Sequence, residues 1–261
     1  MQNISAVIST PPLMNPEAMN PEAMNVSSPS QLTLELFNSR RISFADFLGA
    51  SNAAPRAALE RWAAGAGHWC VGVWGQRGVG KSHLLQAAVC AAHDRGAVAM
   101  YVPLREVFAH GPAVLQDLEQ IDSLALDDLE IIAGDAAWEE AVFTLYNAVA
   151  AVGGRIVYAS SHAPNNLPCA LADLKSRLCS ALIYQVSDPL EAEKHAILQA
   201  LALTRGLQLS PVVANFLLRR LPRDLHALVP ALEQLDRASL RDGRALTIPF
   251  VREALGFDAA E

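Results

Sequence analysis

From residue 44 onward the apolar positions fall into two alternating rhythms. Near-continuous apolar runs, "HWCVGVWG" (68–75), "AVAMYVP" (97–103), "SLALD" (123–127), "RIVYAS" (155–160) and "ALIYQV" (181–186), predict buried strands. Between them, segments 55–64, 81–95, 112–120, 135–153 and 171–178 predict helices. Strands buried on both faces read as continuous apolar runs. Their alternation with helices predicts an α/β fold, a five-stranded parallel sheet flanked by helices. After Pro189 the strand rhythm stops. Residues 190–206, 211–221 and 224–241 carry apolar side chains at three- and four-residue spacing, with Gly206 and Gly243 as C-terminal stops. The division expected is an α/β subdomain over 38–187 and an all-helical subdomain over 188–257.

The N-terminal segment has neither rhythm. Residues 1–30 hold two charges, Glu17 and Glu22, no aromatic side chain, and the tandem repeat "MNPEAMNPEAMN" (14–25). Such a segment lacks the apolar area to offset the entropy of ordering and is expected to be disordered. Met14, Met19 and Met24 stand beside Met1 as alternative starts. Then comes "QLTLELF" (31–37), in which Leu32, Leu34 and Leu36 alternate with Thr33 and Glu35, and Phe37 closes the run. The alternation fits a peptide offered to another protein's groove, and equally an edge strand added to the domain's own sheet.

Composition narrows the function class. Hydrophobic residues make up 52% and charged residues 18%, so the body of the chain is globular. A formal charge of −7 argues against a broad phosphate-tracking surface. Cys70, Cys90, Cys169 and Cys179 form no paired motif and read as small buried hydrophobes in a reducing compartment. The first basic residue is Arg40, and no apolar run reaches the ~18–20 residues of a membrane span, so a cytoplasmic protein is expected.

One motif carries specific chemistry. "GQRGVGKS" (75–82) fits G-x-x-x-x-G-K-[ST] and sits after a predicted strand and before a predicted helix, as that motif requires. Gly75, Gly78 and Gly80 let backbone N–H groups turn inward, and the helix N-terminus adds partial positive charge for phosphate. Lys81 can reach the β- and γ-phosphates, and the Ser82 hydroxyl can ligate Mg²⁺. "LALDD" (124–128) supplies the second half: Asp127 near the metal, Asp128 placed to polarise a water. The seven histidines show no ligand spacing, so no metal beyond Mg²⁺ is expected.

A phosphate loop, a DD strand and a helical C-terminal lid together resemble the AAA+ ATPases, and among them the DnaA group of replication initiators. "FADFLGASN" (44–52) resembles that group's opening segment, which lies beside the adenine. "LADLKSRL" (171–178) resembles its arginine-finger motif, which implies that Arg177 stands at the subunit rim. "LPRDLHALVPAL" (221–232) resembles its sensor-II helix, which implies that Arg223 reaches the phosphates from the lid. On spacing alone, Arg177 reads as a surface arginine balanced by Asp173 four residues earlier; the motif order favours the finger.

Initiators carry a helix-turn-helix domain after the lid and an extra DNA-holding helix between the second strand and the DD strand. Here only 257–261 follow the last helix, and Val102–Asp127 has room for one short helix and a strand. That combination resembles the Hda family, regulators that switch the initiator off. The resemblance implies an ADP- or ATP-binding core with Mg²⁺ that stimulates ATP hydrolysis by DnaA through its arginine finger. It also implies tethering to the DNA-loaded sliding clamp by a Q-L-x-L-x-L peptide, which Gln31, Leu32, Leu34 and Leu36 match and Phe37 extends. No sequence-specific DNA contact and no membrane contact follow from it, and the choice between monomer and homo-oligomer stays open. Two departures stand out. Ser160 or Ser161 occupies the sensor position where Asn or Asp is usual, which weakens the case for vigorous turnover by this chain, and Glu35 is charged. The competing functions are an autonomous AAA+ ATPase acting as loader or remodeller, and a non-catalytic adaptor.

Overall fold

The computed structural model describes residues 42–47, 49–203, 205–221 and 225–257. Five parallel strands form one sheet: β1 (Cys70–Trp74), β2 (Ala99–Pro103), β3 (Ser123–Asp127), β4 (Arg155–Ser160) and β5 (Leu182–Gln185), in the order β2-β3-β4-β1-β5. The register sets Trp74 opposite Ser160 and Pro103 opposite Asp127. The carboxyl ends of β1, β3 and β4 therefore share one edge, where open α/β sheets bind ligands.

Apolar side chains cover both faces. On one face α1 (Ala53–Ala63) and α2 (Lys81–His93) bury Leu59, Trp62, Leu84 and Leu85 against Val71, Val73, Val157 and Ala159. On the other, α4 (Ala136–Ala151) and α5 (Ala172–Cys179) bury Trp138, Val142, Leu174 and Leu178 against Leu124, Ile156 and Tyr158. The one-turn helix α3 (Leu104–Val107) follows β2 directly. Gly72 of β1 lies under the Tyr158 ring, which a Cβ at that position would overlap. The Tyr158 hydroxyl, so seated, donates to the Leu178 carbonyl at 2.7 Å and ties α5 to the sheet.

The helical region has its own core. α6 (Glu191–Leu203), α7 (Pro211–Arg220), α8 (Leu225–Asp242) and α9 (Ile248–Leu255) enclose Leu198, Ala214, Leu217, Leu228, Leu232, Leu235 and Phe250. The fourth of these helices adds to the three expected. Thr247 caps its start with a hydrogen bond from the Phe250 N–H (3.4 Å), and Gly256 closes it in the left-handed region.

The short helical piece expected over 112–120 takes the form of two 3₁₀ helices, Pro112–Leu115 and Leu118–Gln120. Asp117 between them has φ 63°, outside the helical region, so no continuous helix can pass through it. Among the described residues no helix is long and apolar enough to cross a membrane.

Candidate nucleotide site

β1 runs into the phosphate loop, and the loop's glycines serve different needs. Gly78 (φ 86°) and Gly80 (φ 97°) occupy the left-handed region that side chains disfavour. A Cβ on Gly80 would also stand 2.7 Å from the Phe47 ring, so the opening segment lies against the loop. At Gly75 a Cβ would overlap the Val186 carbonyl. Lys81, 8% exposed, turns its Nζ back into the loop and donates to the carbonyls of Gly75 and Gln76, both at 2.8 Å. Burial lowers its pKa, against the raising influence of Glu130, Asp127 and Asp128.

The carboxylates arrive on β3. Asp127 is buried. Its Oδ2 accepts from the Tyr101 hydroxyl at 2.6 Å, and its Oδ1 accepts from the Asp128 N–H at 2.9 Å. Tyr101 stands on the neighbouring strand β2, near the side chains of Ser82 and Gln86. Burial, then Asp127, holds this phenol above its ordinary range. Tyr101 thus bonds Asp127 and stands near Ser82, the two expected Mg²⁺ ligands.

Asp128 turns into the left-handed region (φ 55°), and its Oδ2 accepts from Arg105 Nε at 2.8 Å. Arg105 Nη2 lies 3.7 Å from Glu130 Oε1, and Glu130 Oε2 accepts from the Ser161 N–H at 3.0 Å. The Ser160 hydroxyl donates to the His162 carbonyl at 2.6 Å. Asp128, Glu130 and the Ser160–Ser161 turn are therefore engaged with one another or with their own loop. Among the described residues no group of three or more His, Cys, Asp or Glu is placed to hold a metal alone. The donor set at the loop fits Mg²⁺ taken up with phosphate, through one hydroxyl and one carboxylate.

The opening segment also meets the helical region. Asn52 donates to the Ser187 carbonyl and accepts from the Ser187 N–H, both at 2.9 Å. Glu193 of α6 accepts from the N–H groups of Leu190 (2.9 Å) and Ala50 (2.6 Å) and from the Ser51 hydroxyl (3.1 Å). These bonds, Leu190's first, hold its carboxyl below the usual range.

Arg177 stands exposed on α5, and none of the described acids, Asp173 included, forms an ion pair with it. Its backbone is held nonetheless: the Arg177 carbonyl accepts from Tyr146 (3.3 Å) and Ser180 (2.7 Å) hydroxyls. Of the cysteines, Cys70 is buried and its thiol pushed up to about 12 by that burial, whereas Cys179 is exposed, against expectation, because it falls on the outer face of α5. Arg223 and the peptide Gln31, Leu32, Leu34, Leu36 and Phe37 lie outside the described residues.

Sequence reading missed Tyr101, Arg105, Glu130, Glu139 and Glu193. Glu139 alone left a signal: it shares the apolar stripe of Val142, Tyr146 and Val149, at helical spacing, where a carboxylate needs a reason.

Two family models match the chain, the bacterial DnaA ATPase domain over residues 38–185 and the lid domain of Hda over residues 191–255. Among solved structures, domain III of the Thermotoga maritima replication initiation protein DnaA superposes with a TM-score of 0.71 at 21% identity, covering 82% of this chain and 95% of that one. AMPPCP-bound DnaA from Aquifex aeolicus gives 0.63 at 21% identity, covering 79% of this chain and 68% of that one. A Thermotoga maritima RuvB variant gives 0.61 at 17% identity, covering 84% and 72%. At these identities the structures speak for the AAA+ fold alone.

Proposed function

Because this chain belongs to the bacterial DnaA ATPase family and carries a lid of the Hda type, we propose that it regulates replication initiation by making the initiator DnaA hydrolyse ATP. The observation carrying this reading is Arg177: an exposed guanidinium without an acidic partner among the described residues, on a helix whose backbone is fixed. A planar, permanently charged group suits insertion beside a neighbour's γ-phosphate, where such fingers contribute ~10³–10⁵ in rate.

In this proposal Gly75, Gly78, Gly80, Lys81 and Ser82 hold an adenine nucleotide, with Asp127 and Ser82 toward Mg²⁺ and Arg223 reaching from the lid. The loop geometry supports this, as does the AMPPCP held by the Aquifex relative. Bound nucleotide with Mg²⁺ supplies a shared ligand between the 38–187 core and the 188–257 lid. Lys81 must then exchange two loop carbonyls for phosphate oxygens. The pairing of Asp128 with Arg105 supports slow turnover by the chain itself. Gln31, Leu32, Leu34, Leu36 and Phe37 would dock on the DNA-loaded sliding clamp, concentrating the protein where the initiator works, in the cytoplasm.

The test mixes the protein, DNA-loaded clamp and ATP-bound initiator. Initiator turnover should rise, and Arg177→Ala should abolish the rise while nucleotide binding persists. Changing Gln31 and Leu34 to Ala should remove clamp dependence with the fold intact. A second reading, an autonomous ATPase, is favoured by the full set of Lys81, Asp127 and Asp128. Steady turnover indifferent to clamp and initiator, and lost in Asp128→Asn, would select it.

A further inference from the structure

α5 is eight residues long, and its N-cap residue, Leu171, makes no side-chain capping bond. A helix this short gains little from its own hydrogen bonds, so its orientation depends on what grips its ends. Its start is gripped by a fully buried carboxylate. Glu139 of α4 is 0% exposed; its Oε1 accepts from the N–H groups of Gly134 (2.6 Å) and Ala170 (3.0 Å), and its Oε2 from Leu171 (2.6 Å). A carboxylate here costs desolvation that an apolar side chain would not, and three N–H donors are what satisfy it. The bonds join the loop before α4 to the two residues leading into α5. Tyr146, two turns further along the same face of α4, bonds Arg177's own carbonyl.

We infer that Glu139 is the positioning residue for Arg177: its buried charge fixes the base of α5, and with it the guanidinium two turns on. This rests on the proposed role of Arg177. Glu139 touches no nucleotide-loop residue, so its effect should be on the geometry of the finger and not on the cleft. Displacement of a catalytic group by about 1 Å can cost ~10²-fold.

The informative variant is Glu139→Gln. A glutamine oxygen can take over the two bonds of Oε1, but its NH₂ then faces the Leu171 N–H, donor against donor, and the base of α5 is released. Stimulated hydrolysis is followed against concentration with DNA-loaded clamp and ATP-bound initiator, beside wild type and Arg177→Ala. The plateau rate should fall about tenfold or more. The half-saturating concentration and the affinity for ADP should be unchanged, and amide exchange should quicken over 168–180 but not over 75–82. A plateau equal to wild type, while Arg177→Ala abolishes stimulation, overturns the inference and leaves the finger standing. A plateau that falls in proportion to ADP affinity also overturns it, because that is general loosening of the fold. If Arg177→Ala stimulates normally, the finger reading itself fails and Glu139 has nothing to position. Should Glu139→Gln not fold, Leu171→Pro deletes the same bond from the donor side, at a φ of −82° that proline accepts, and the same outcomes decide.

Discussion

At the carboxyl edge of the sheet, charges are answered from within the chain; on α5 the backbone is answered and the charge is not. Lys81 sits on loop carbonyls, Asp127 on Tyr101, and Asp128 on Arg105. On α5, Glu139, Tyr146 and Tyr158 hold the helix, while the guanidinium of Arg177 points to solvent. The first arrangement suits a site that waits for a ligand without acting on it. The second suits a group that must reach another molecule in a fixed pose, where preorganisation lowers the cost of acting.

The contrast can be broken most forcefully at Gly72. Gly72→Ala drives a methyl into the Tyr158 ring and strips α5 of its bond to the sheet. Overpacking of this kind costs about 2 kcal/mol, to be read from the urea midpoint. Combining it with Tyr158→Leu should recover part of the loss; no recovery would mean that the ring is not what the methyl meets. A smaller effect tests the other side. Arg105→Ala frees Asp128, and the chain's own ATP turnover should rise about threefold, the modest scale of a pair this exposed. Unchanged turnover would mean that the pairing does not restrain the site.

The smallest effect is a pH dependence beneath the loop. Burial keeps the His83 pKa below its ordinary 6.5, against the opposing pull of the Ser43 carbonyl and Asp46. The unfolded chain takes up a proton near 6.5 and the folded chain does not. The neutral ring's contribution is therefore complete above that pH and declines as pH falls toward the folded value. Denaturation midpoints between pH 7 and 5.5 should show the decline, and His83→Gln should flatten it.

Much of this was legible. The expected bounds of β3 and β4 coincide with the observed strands, because turn residues and polar ends frame both apolar runs. The phosphate loop was legible because its motif is local. Tyr101 and Arg105 were not, since they reach the site only because β2 lies beside β3, and equally apolar strands carry no label of their neighbours. The break of the helical piece over 112–120 into two 3₁₀ helices turned on the backbone of Asp117, which its side chain permits but does not announce.

One consequence concerns mechanics. Asn52 grips Ser187 through both of its backbone polar groups, and Glu193 grips Leu190 while also holding Ala50 and Ser51. Between these two clamped points lie only Asp188 and Pro189, and the proline ring removes one of their torsions. The helical region thus joins the sheet through a link of two residues with about three free rotations, and the bonds of Glu193 to Ala50 and Ser51 hold it against that freedom. A change that removes the bonds of Asn52 or Glu193 should free the angle of the whole four-helix unit at once.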